Sequence, residues 1–255
     1  MRPDARNLSM RLAQDDADRN AVHRLRYDVF VTELGGKGSL VDHAARLERD
    51  QFAPFCEHLA LFDDTLPRGE DAVAAYRLLT GDGARSGIGF YSAGEYDLSL
   101  LERSGRRLLE FGRSCVRQGY RDGTALFRLW QGLAGFIDAS RSEILFGVAS
   151  FHGTDPDLLA QPLSMLHHRY LAPEDLRVRA TGPAAHRMDL VPPDRIDRAA
   201  ATAMLPPLLK SYLRIGGVVG EGAWIDREFN TVDVCLIVDT ARVSSRVRSP
   251  YGSRA

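Results

Sequence analysis

The sequence predicts a mixed α/β (α+β) fold, with helices packed against a sheet of parallel and antiparallel strands. Apolar segments typical of strands alternate along the 255-residue chain with segments of helical periodicity. The first two predicted strands are joined by a short turn, which is typical of an antiparallel pair and argues against a doubly wound parallel sheet. Hydrophobic residues make up 44% and charged residues 26% of the chain, as in ordinary globular proteins.

The first half of the chain predicts one helix followed by strands. Asp15 and Asp16 favour the start of a helix over 15–34, which ends at Gly35. Strands are predicted over 58–63, 72–80 and 106–116. The Gly-rich stretch 81–94 predicts a loop.

The second half predicts further alternation of helices and strands. We expect, in order, a helix over 124–140, a strand over 143–151, a helix over 156–170 opened by Asp155, a strand over 186–191, a helix over 197–214 that includes Pro206 and Pro207, and a strand over 231–238. These elements predict one domain over 1–240, with an elaboration from about residue 175. The tail 241–255 carries Arg242, Arg246, Arg248 and Arg254 without an acidic residue, and is expected to be flexible.

Charge and cysteine content exclude several classes of protein. The formal net charge is −1, which lacks the electrostatic signature of a nucleic-acid-binding protein. Cys56, Cys115 and Cys235 show no CxxC spacing, so neither a structural zinc site nor a disulfide framework is expected. The start of the chain lacks the apolar region of a signal peptide, and no apolar run approaches the roughly 18 residues that span a bilayer. We therefore expect a cytoplasmic protein, with peripheral membrane contact left open.

A Gly- and Arg-containing loop between a strand and a helix is the first candidate binding site. In LLEFGRSCVRQGYRDGTALFRLW the loop carries Arg117, Gly119, Arg121 and Gly123. Free backbone N–H groups at the start of the helix, its dipole and the arginines together suit a phosphate-bearing ligand. An ordinary turn that uses the glycines only for its backbone is the alternative.

Charged residues interrupt three apolar segments, which an ordinary core does not tolerate unless the charges are paired or functional. They are Arg26 on the first helix, Arg77 in the strand over 72–80, and Glu110 and Arg113 in the strand over 106–116. Phe30 and Glu33 share the helix face of Arg26. Glu48 and Asp50 come shortly before the strand over 58–63.

Five segments in this order resemble a known family. They are LRYDVF, ERDQFAPFCEHLALFD, AYRLL, LLEFGRSCV and YRDGTALFRLWQGLA. The combination is similar to the ornithine N-alpha-acyltransferases, a branch of the GCN5-related N-acyltransferase superfamily akin to the acyl-homoserine-lactone synthases. The likeness covers about residues 10 to 240 and makes 1–240 a single acyltransferase domain.

The resemblance implies a reaction, a donor and a fold. A 3-hydroxyacyl group would pass from acyl carrier protein to the α-amino group of L-ornithine, giving lyso-ornithine lipid. No permanently bound cofactor is implied, because the phosphopantetheine of the carrier protein presents the acyl group. The superfamily fold implies a mixed sheet with a splayed central strand pair, and Gly112 is the expected place for the bulge that splays it.

Site roles follow from the resemblance and from the chemistry of amine acylation. The attacking amine must lose a proton, and Glu110 is the first choice of base. Asp50 is the second choice, or holds the ammonium groups of ornithine. An ion pair between Glu110 and Arg113 that only orders the strand is the alternative for Glu110.

The arginines are the expected ligands of the substrate anions. Arg26 or Arg77 would bind the ornithine carboxylate, with internal ion pairs to Glu33, Glu48 or Asp50 as the equal alternative. Arg113 and Phe30 are further substrate-binding candidates. Arg117 and Arg121, with Gly119 and Gly123, would hold the pantetheine phosphate, although their spacing departs from the usual acetyl-CoA loop.

Two other functions remain open. A lactone synthase that uses S-adenosylmethionine would carry a tryptophan where this chain has Leu34-Gly35-Gly36. A non-catalytic module that binds acyl carrier protein would bind the thioester without turnover. The basic tail would contact the acidic carrier protein or an anionic membrane, or be simply solvated.

Overall fold

The computed structural model describes residues 6–38 and 40–243. The predicted tail beyond residue 243, with Arg246, Arg248 and Arg254, lies outside this range. The strands are β1 (Leu8–Leu12), β2 (Val41–Asp42), β3 (Leu47–Glu48), β4 (Glu57–Asp63), β5 (Ala72–Thr80), β6 (Tyr96–Asp97), β7 (Leu108–Val116), β8 (Ile144–His152), β9 (Arg179–Ala180), β10 (Ala185–His186), β11 (Val218–Val219), β12 (Ala223–Asp226) and β13 (Thr231–Asp239). The α-helices are α1 (Asp16–Arg26), α2 (Gly81–Ser86), α3 (Ser99–Glu102), α4 (Thr124–Ser140), α5 (Ala160–Tyr170), α6 (Arg198–Met204) and α7 (Pro207–Arg214).

The described residues divide into two compact units, one of residues 6–88 and 111–141 and the other of 89–110 and 142–243. Strand β7 contributes its first three residues to the second unit and the rest to the first. The predicted division into a domain over 1–240 and a tail stays a prediction.

In the first unit, β1, β4 and β5 are antiparallel neighbours, and β7 lies next to β5. Helix α1 packs its apolar stripe against one face of this sheet, where Val22 and Leu25 join Ala60 of β4 in the core. Helix α4 lies on the other face. A Cβ at its Gly132 would lie 2.9 Å from Met10 of β1 and 3.2 Å from Leu59 of β4, and Leu59 faces away from the side of Ala60 because alternate strand residues face opposite ways.

The first helix begins as predicted and then changes character. The side chain of Asp15 accepts a hydrogen bond from the Asp18 amide, as expected of an N-cap. From Tyr27 to Glu33 the helix continues as a π-helix, a wider form often found at functional sites. Gly35, with φ of +74°, supplies the left-handed residue that follows it.

In the second unit, β8 pairs with β13 over nine antiparallel positions, and β12 and β10 follow. Strand β7 pairs with β8 in parallel, from Leu108 with Ile144 to Glu110 with Phe146. Because this parallel ladder covers three residue pairs of two nine-residue strands, it agrees with the expected splayed pair. The sheet is mixed, which confirms the predicted fold class.

Four predicted elements are wrong in part. The stretch 81–94 is not only loop, since Thr80 caps α2 and a 3₁₀-helix follows at Tyr91–Gly94. The helix expected over 156–170 begins only at Ala160, because Asp155 instead accepts a hydrogen bond from the Asp157 amide in a turn.

The strand predicted over 186–191 is limited to Ala185–His186, because the Leu190 and Val191 amides bond to the hydroxyl of Ser164. The helix predicted over 197–214 is divided into α6 and α7 at Pro206, which cannot donate a backbone hydrogen bond. Within the described residues, no helix is long and apolar enough to cross a membrane.

Candidate active site

Five charged side chains of the first unit meet in one cluster. Arg26 ends α1, Glu48 ends β3, Asp50 lies two residues further on, Arg77 is in β5 and Arg113 is in β7. We call these residues the arginine–carboxylate cluster. The sequence singled out the three arginines as charges in apolar segments and the two carboxylates as residues shortly before a strand, and the fold brings all five together.

Direct ion pairs hold the cluster. The Nε of Arg26 donates to Glu48, and Arg77 donates to Oδ2 of Asp50. Nη2 of Arg26 lies 3.3 Å from the same Asp50 oxygen. Nε of Arg113 lies 3.7 Å from Glu48 and 3.8 Å from Asp50. Arg26 and Arg77 therefore adopt the internal ion pairs that the sequence left open as an alternative.

The arginines keep both carboxylates ionised. Burial acts to raise the pKa of Asp50, but Arg77, Arg26 and Arg113 outweigh it and lower the pKa to about 2. Burial likewise opposes the charge of Glu48, and Arg26 and Arg113 lower its pKa overall. A carboxylate with a pKa near 2 has a low affinity for protons, so Asp50 is poorly suited to remove a proton from an ammonium group.

The cluster has more positive than negative charge. Three guanidinium groups face two carboxylates, so the five side chains together carry a formal charge of about +1. Arg26 and Glu48 are each only 1% exposed, whereas Arg113 is 13% and Asp50 15% exposed. Arg113 and Asp50 are therefore the members of the cluster that solvent reaches most.

Two aromatic rings cover the cluster. The guanidinium carbon of Arg113 lies 5.8 Å from the ring centre of Phe30, in the π-helix, and that of Arg77 lies 5.6 Å from Phe52. Both distances suit cation–π contact. Phe30, predicted to bind substrate, thus contacts a predicted substrate-binding arginine.

The irregularity expected at Gly112 falls on the next residue. Arg113 has φ of +49°, a left-handed conformation that is uncommon for a residue with a side chain. A left-handed residue interrupts the alternation of a strand, so the side chain of Arg113 reaches Glu48 and Asp50. The sequence indicated the right region, but the residue with the left-handed backbone is Arg113 and not Gly112.

Two buried histidines beside the cluster were missed by the sequence reasoning. The rings of His23 on α1 and His58 on β4 meet edge to face, 5.1 Å apart. Among the described residues neither ring nitrogen of His58 has a hydrogen-bond partner, and the same is true of Nη1 of Arg26. Burial, then Arg26, His23 and Arg77, lower the pKa of His58 to about 2. The signal in the sequence was a histidine at the start of the apolar run HLALF.

Glu110 lies in the second unit and is held by backbone amides. Its Oε2 accepts from the Tyr91 amide at 2.9 Å and its Oε1 from the Ser92 amide at 2.7 Å. The side chain is 3% exposed. The ion pair with Arg113 that we considered is replaced by these amides, since the ion pairs of Arg113 are with Glu48 and Asp50.

The predicted phosphate loop leads into α4 as expected, but its arginines bind the protein itself. Arg117 donates to the backbone oxygens of Glu70 and Ala72. Arg121 donates to Glu33 at 2.7 Å. Gly123, at φ of +91°, is the N-cap of the 17-residue helix α4 and has no side chain, and the carboxylate of Asp122 accepts from the Thr124 amide instead.

Other groups have simpler roles. Burial raises the pKa of Cys115 to about 12, so its thiol is not activated. In the second unit, Glu95, Asp226 and Asp233 are buried and place carboxylate oxygens within 4.8 Å of one another.

Comparison with known proteins tests these expectations. Residues 25–131 match a family model described as an acetyltransferase (GNAT) domain. The chain is 54% identical to the L-ornithine N(alpha)-acyltransferase of Rhodobacter capsulatus, over 97% of this chain and 96% of that protein. It is 40% identical to the protein of the same name from Brucella abortus, over 98% and 90%. This chain belongs to the L-ornithine N(alpha)-acyltransferase family.

A solved structure supports the fold. The chain matches the crystal structure of the AHL synthase LasI over 98% of this chain and 97% of that one, with a TM-score of 0.53 and 13% identity. This likeness shows the acyltransferase fold alone. Together with the family, it confirms the predicted resemblance, and the protein is an N-acyltransferase. The matched residues 25–131 contain the whole arginine–carboxylate cluster and Glu110.

Proposed function

We propose that this protein transfers a 3-hydroxyacyl group from acyl carrier protein to the α-amino group of L-ornithine, giving lyso-ornithine lipid. The observation that carries the proposal is the 54% identity, over nearly the whole chain, to a protein named L-ornithine N(alpha)-acyltransferase. In the reaction the amine nitrogen forms a bond to the thioester carbonyl carbon. The C–S bond breaks, and the proton lost by the amine leaves with the pantetheine thiol.

The arginine–carboxylate cluster suits an amino acid that has one carboxylate and two ammonium groups. The excess of arginines over carboxylates in the cluster favours a carboxylate ligand, and Arg113 is the most exposed of the three arginines. Asp50 is the accessible carboxylate and would receive an ammonium group. Arg26 and Arg77, which are buried, would hold Asp50 and Glu48 in place rather than bind substrate directly.

Glu110 is the base that we propose. Two amide hydrogens already fix its carboxylate, and each oxygen retains lone-pair capacity for a further hydrogen bond. Because the side chain is nearly buried, the proton would reach it through a water molecule. The low pKa of Asp50 supports this choice, since it leaves Asp50 as a charge partner and not as a base.

The donor would bind through its pantetheine phosphate at the start of α4. Asp122 already bonds the Thr124 amide, so the N–H groups that follow in the first turn, together with the helix dipole, would favour the phosphate there. Arg117 and Arg121 would stabilise the loop through their own contacts and add positive potential. The carrier protein would bring the acyl group in the cytoplasm, and the product would enter the inner face of the membrane.

One assay tests the proposal and its alternatives. Purified protein is given 3-hydroxyacyl carrier protein with L-ornithine, L-lysine or S-adenosylmethionine, and thiol release and product mass are followed. We expect thiol release and an acyl-ornithine product. Release only with S-adenosylmethionine would indicate a lactone synthase, and donor binding without thiol release would indicate a non-catalytic module. The same assay with 3-hydroxyacyl-CoA separates the carrier protein from CoA as donor.

A further inference from the structure

The loop from Arg117 to Gly123 is anchored by residues far from it in sequence. Its central residue, Tyr120, donates its hydroxyl hydrogen to Oδ2 of Asp63, at 2.7 Å. Asp63 is the last residue of β4 and is almost fully buried. The loop is thereby tied to the sheet of the first unit.

Asp63 is itself rigidly held. Its Oδ1 accepts from the amide of Thr65 at 3.1 Å, from the hydroxyl of Thr65 at 2.7 Å and from the amide of Asn7 at 3.3 Å. These bonds and that from Tyr120 lower the pKa of Asp63 against the effect of burial. A carboxylate in this state is a strong and fixed acceptor for the Tyr120 hydroxyl.

Arg6 adds a second anchor. Its guanidinium donates to the backbone oxygen of Gly119 at 2.8 Å and to Asp122 at 2.8 Å. The same group lies over the ring of Tyr120, 4.3 Å from its centre. Asp122 in turn accepts from the Thr124 amide at 3.0 Å, in the first turn of α4. Arg6 therefore contacts three successive parts of the loop.

We propose that Asp63, Tyr120 and Arg6 are positioning residues for the acyl donor, because they fix the loop that presents the first amides of α4. The inference rests on the proposed function, in which those amides bind the pantetheine phosphate. Hydrogen bonds to a phosphate are directional, so amides that are already in place bind it without a further cost of ordering the loop. None of the three residues needs to touch the reacting atoms.

Tyr120→Phe tests the inference with the least change, since it removes the hydroxyl and keeps the ring under Arg6. The matched control is Thr65→Val, which removes a hydroxyl from the same carboxylate without contact to the loop. Arg6→Ala is the second variant, with Arg19→Ala as control, because Arg19 pairs only locally with Asp16 in the same unit.

Two measurements on the full chain decide the outcome. We expect the KM for 3-hydroxyacyl carrier protein to rise about fivefold or more in Tyr120→Phe and Arg6→Ala, with kcat and the KM for ornithine close to those of the wild type. We also expect faster amide hydrogen exchange over residues 119–127 in these variants and not in the controls. An unchanged donor KM or unchanged exchange in Tyr120→Phe would overturn the inference.

The proposed function and this inference fail in different ways. A wild-type protein without turnover on ornithine would overturn both. An active wild type whose Tyr120→Phe variant behaves like Thr65→Val would overturn the inference alone. Equal changes in the donor and acceptor KM would show general loss of structure and would also count against it.

Discussion

Replacing Asp50 by asparagine tests the physical account of the arginine–carboxylate cluster. The substitution keeps the size of the side chain but removes the negative charge that Arg77, Arg26 and Arg113 share. Arg26 keeps its pair with Glu48, so the loss falls mainly on Arg77. We expect the variant to fold with reduced stability.

The size of the effect follows from the lowered pKa. The ordinary value of 3.8 falls to about 2 in the folded protein. One pKa unit corresponds to about 1.4 kcal/mol, so the ion pairs stabilise the folded state by about 2 kcal/mol at neutral pH. The folded pKa is the lower one, so this contribution is present above pH 4 and is lost as the pH falls from about 4 to about 2. Leaving buried arginines partly unpaired adds to the cost.

Urea denaturation followed by circular dichroism measures the effect. At pH 7 we expect Asp50→Asn to lose about 2 to 4 kcal/mol of unfolding free energy. Asp16→Asn is the matched control, because its pair with Arg19 is exposed and we expect almost no change. A loss below about 0.5 kcal/mol would refute the argument that the cluster keeps Asp50 ionised.

Three further outcomes are expected. Glu110→Gln should lower kcat more than about 100-fold in the thiol-release assay while the Kd for carrier protein is kept, and an active variant would assign Glu110 a structural role. Arg113→Gly should still fold by thermal unfolding, because glycine tolerates the left-handed backbone and so offsets part of the ion pairs that are lost. It should raise the KM for ornithine at least about tenfold, and an unchanged KM would contradict Arg113 as a ligand. The pKa of His58 in the folded protein lies below its ordinary value of 6.5, so below about pH 6.5 the unfolded chain binds a proton that the folded protein does not. The free energy of unfolding of the wild type should therefore decrease as the pH is lowered, by up to about 1.4 kcal/mol per pH unit from this histidine. His58→Leu should reduce this slope in urea unfolding at pH 7, 6 and 5, and an equal slope would contradict the prediction.

Much of the fold could be predicted because the pattern of apolar residues along a segment indicates which of its side chains are buried. The strands at Glu57–Asp63, Ala72–Thr80 and Thr231–Asp239 are mostly apolar, and their bounds differ little from those predicted. The errors lie where local cues compete. The amides of Leu190 and Val191 bond to Ser164, a partner 26 and 27 residues away that no local pattern reveals.

The candidate site could be predicted in composition but not in pairing. A charge in an apolar strand is costly unless it is compensated, so Arg26, Arg77 and Arg113 stood out as single residues. Which carboxylate pairs with which arginine depends on contacts between residues far apart in the sequence. Arg26 and Glu48 are separated by 22 residues, and Asp50 and Arg77 by 27. His58 escaped notice because one histidine in an apolar run is common.

The sequence by itself determined the fold class, the family resemblance and the set of charged residues, because burial, propensity and motif order are properties of short segments. The tertiary structure decided that Arg26 and Arg77 are compensated internally while Arg113 remains accessible, and that Glu110 is held by the Tyr91 and Ser92 amides. It also decided that Arg117 and Arg121 are bonded to groups of the protein, namely the backbone of Glu70 and the carboxylate of Glu33. The physical reason is that electrostatic roles depend on distance and burial, which arise only when distant segments pack together.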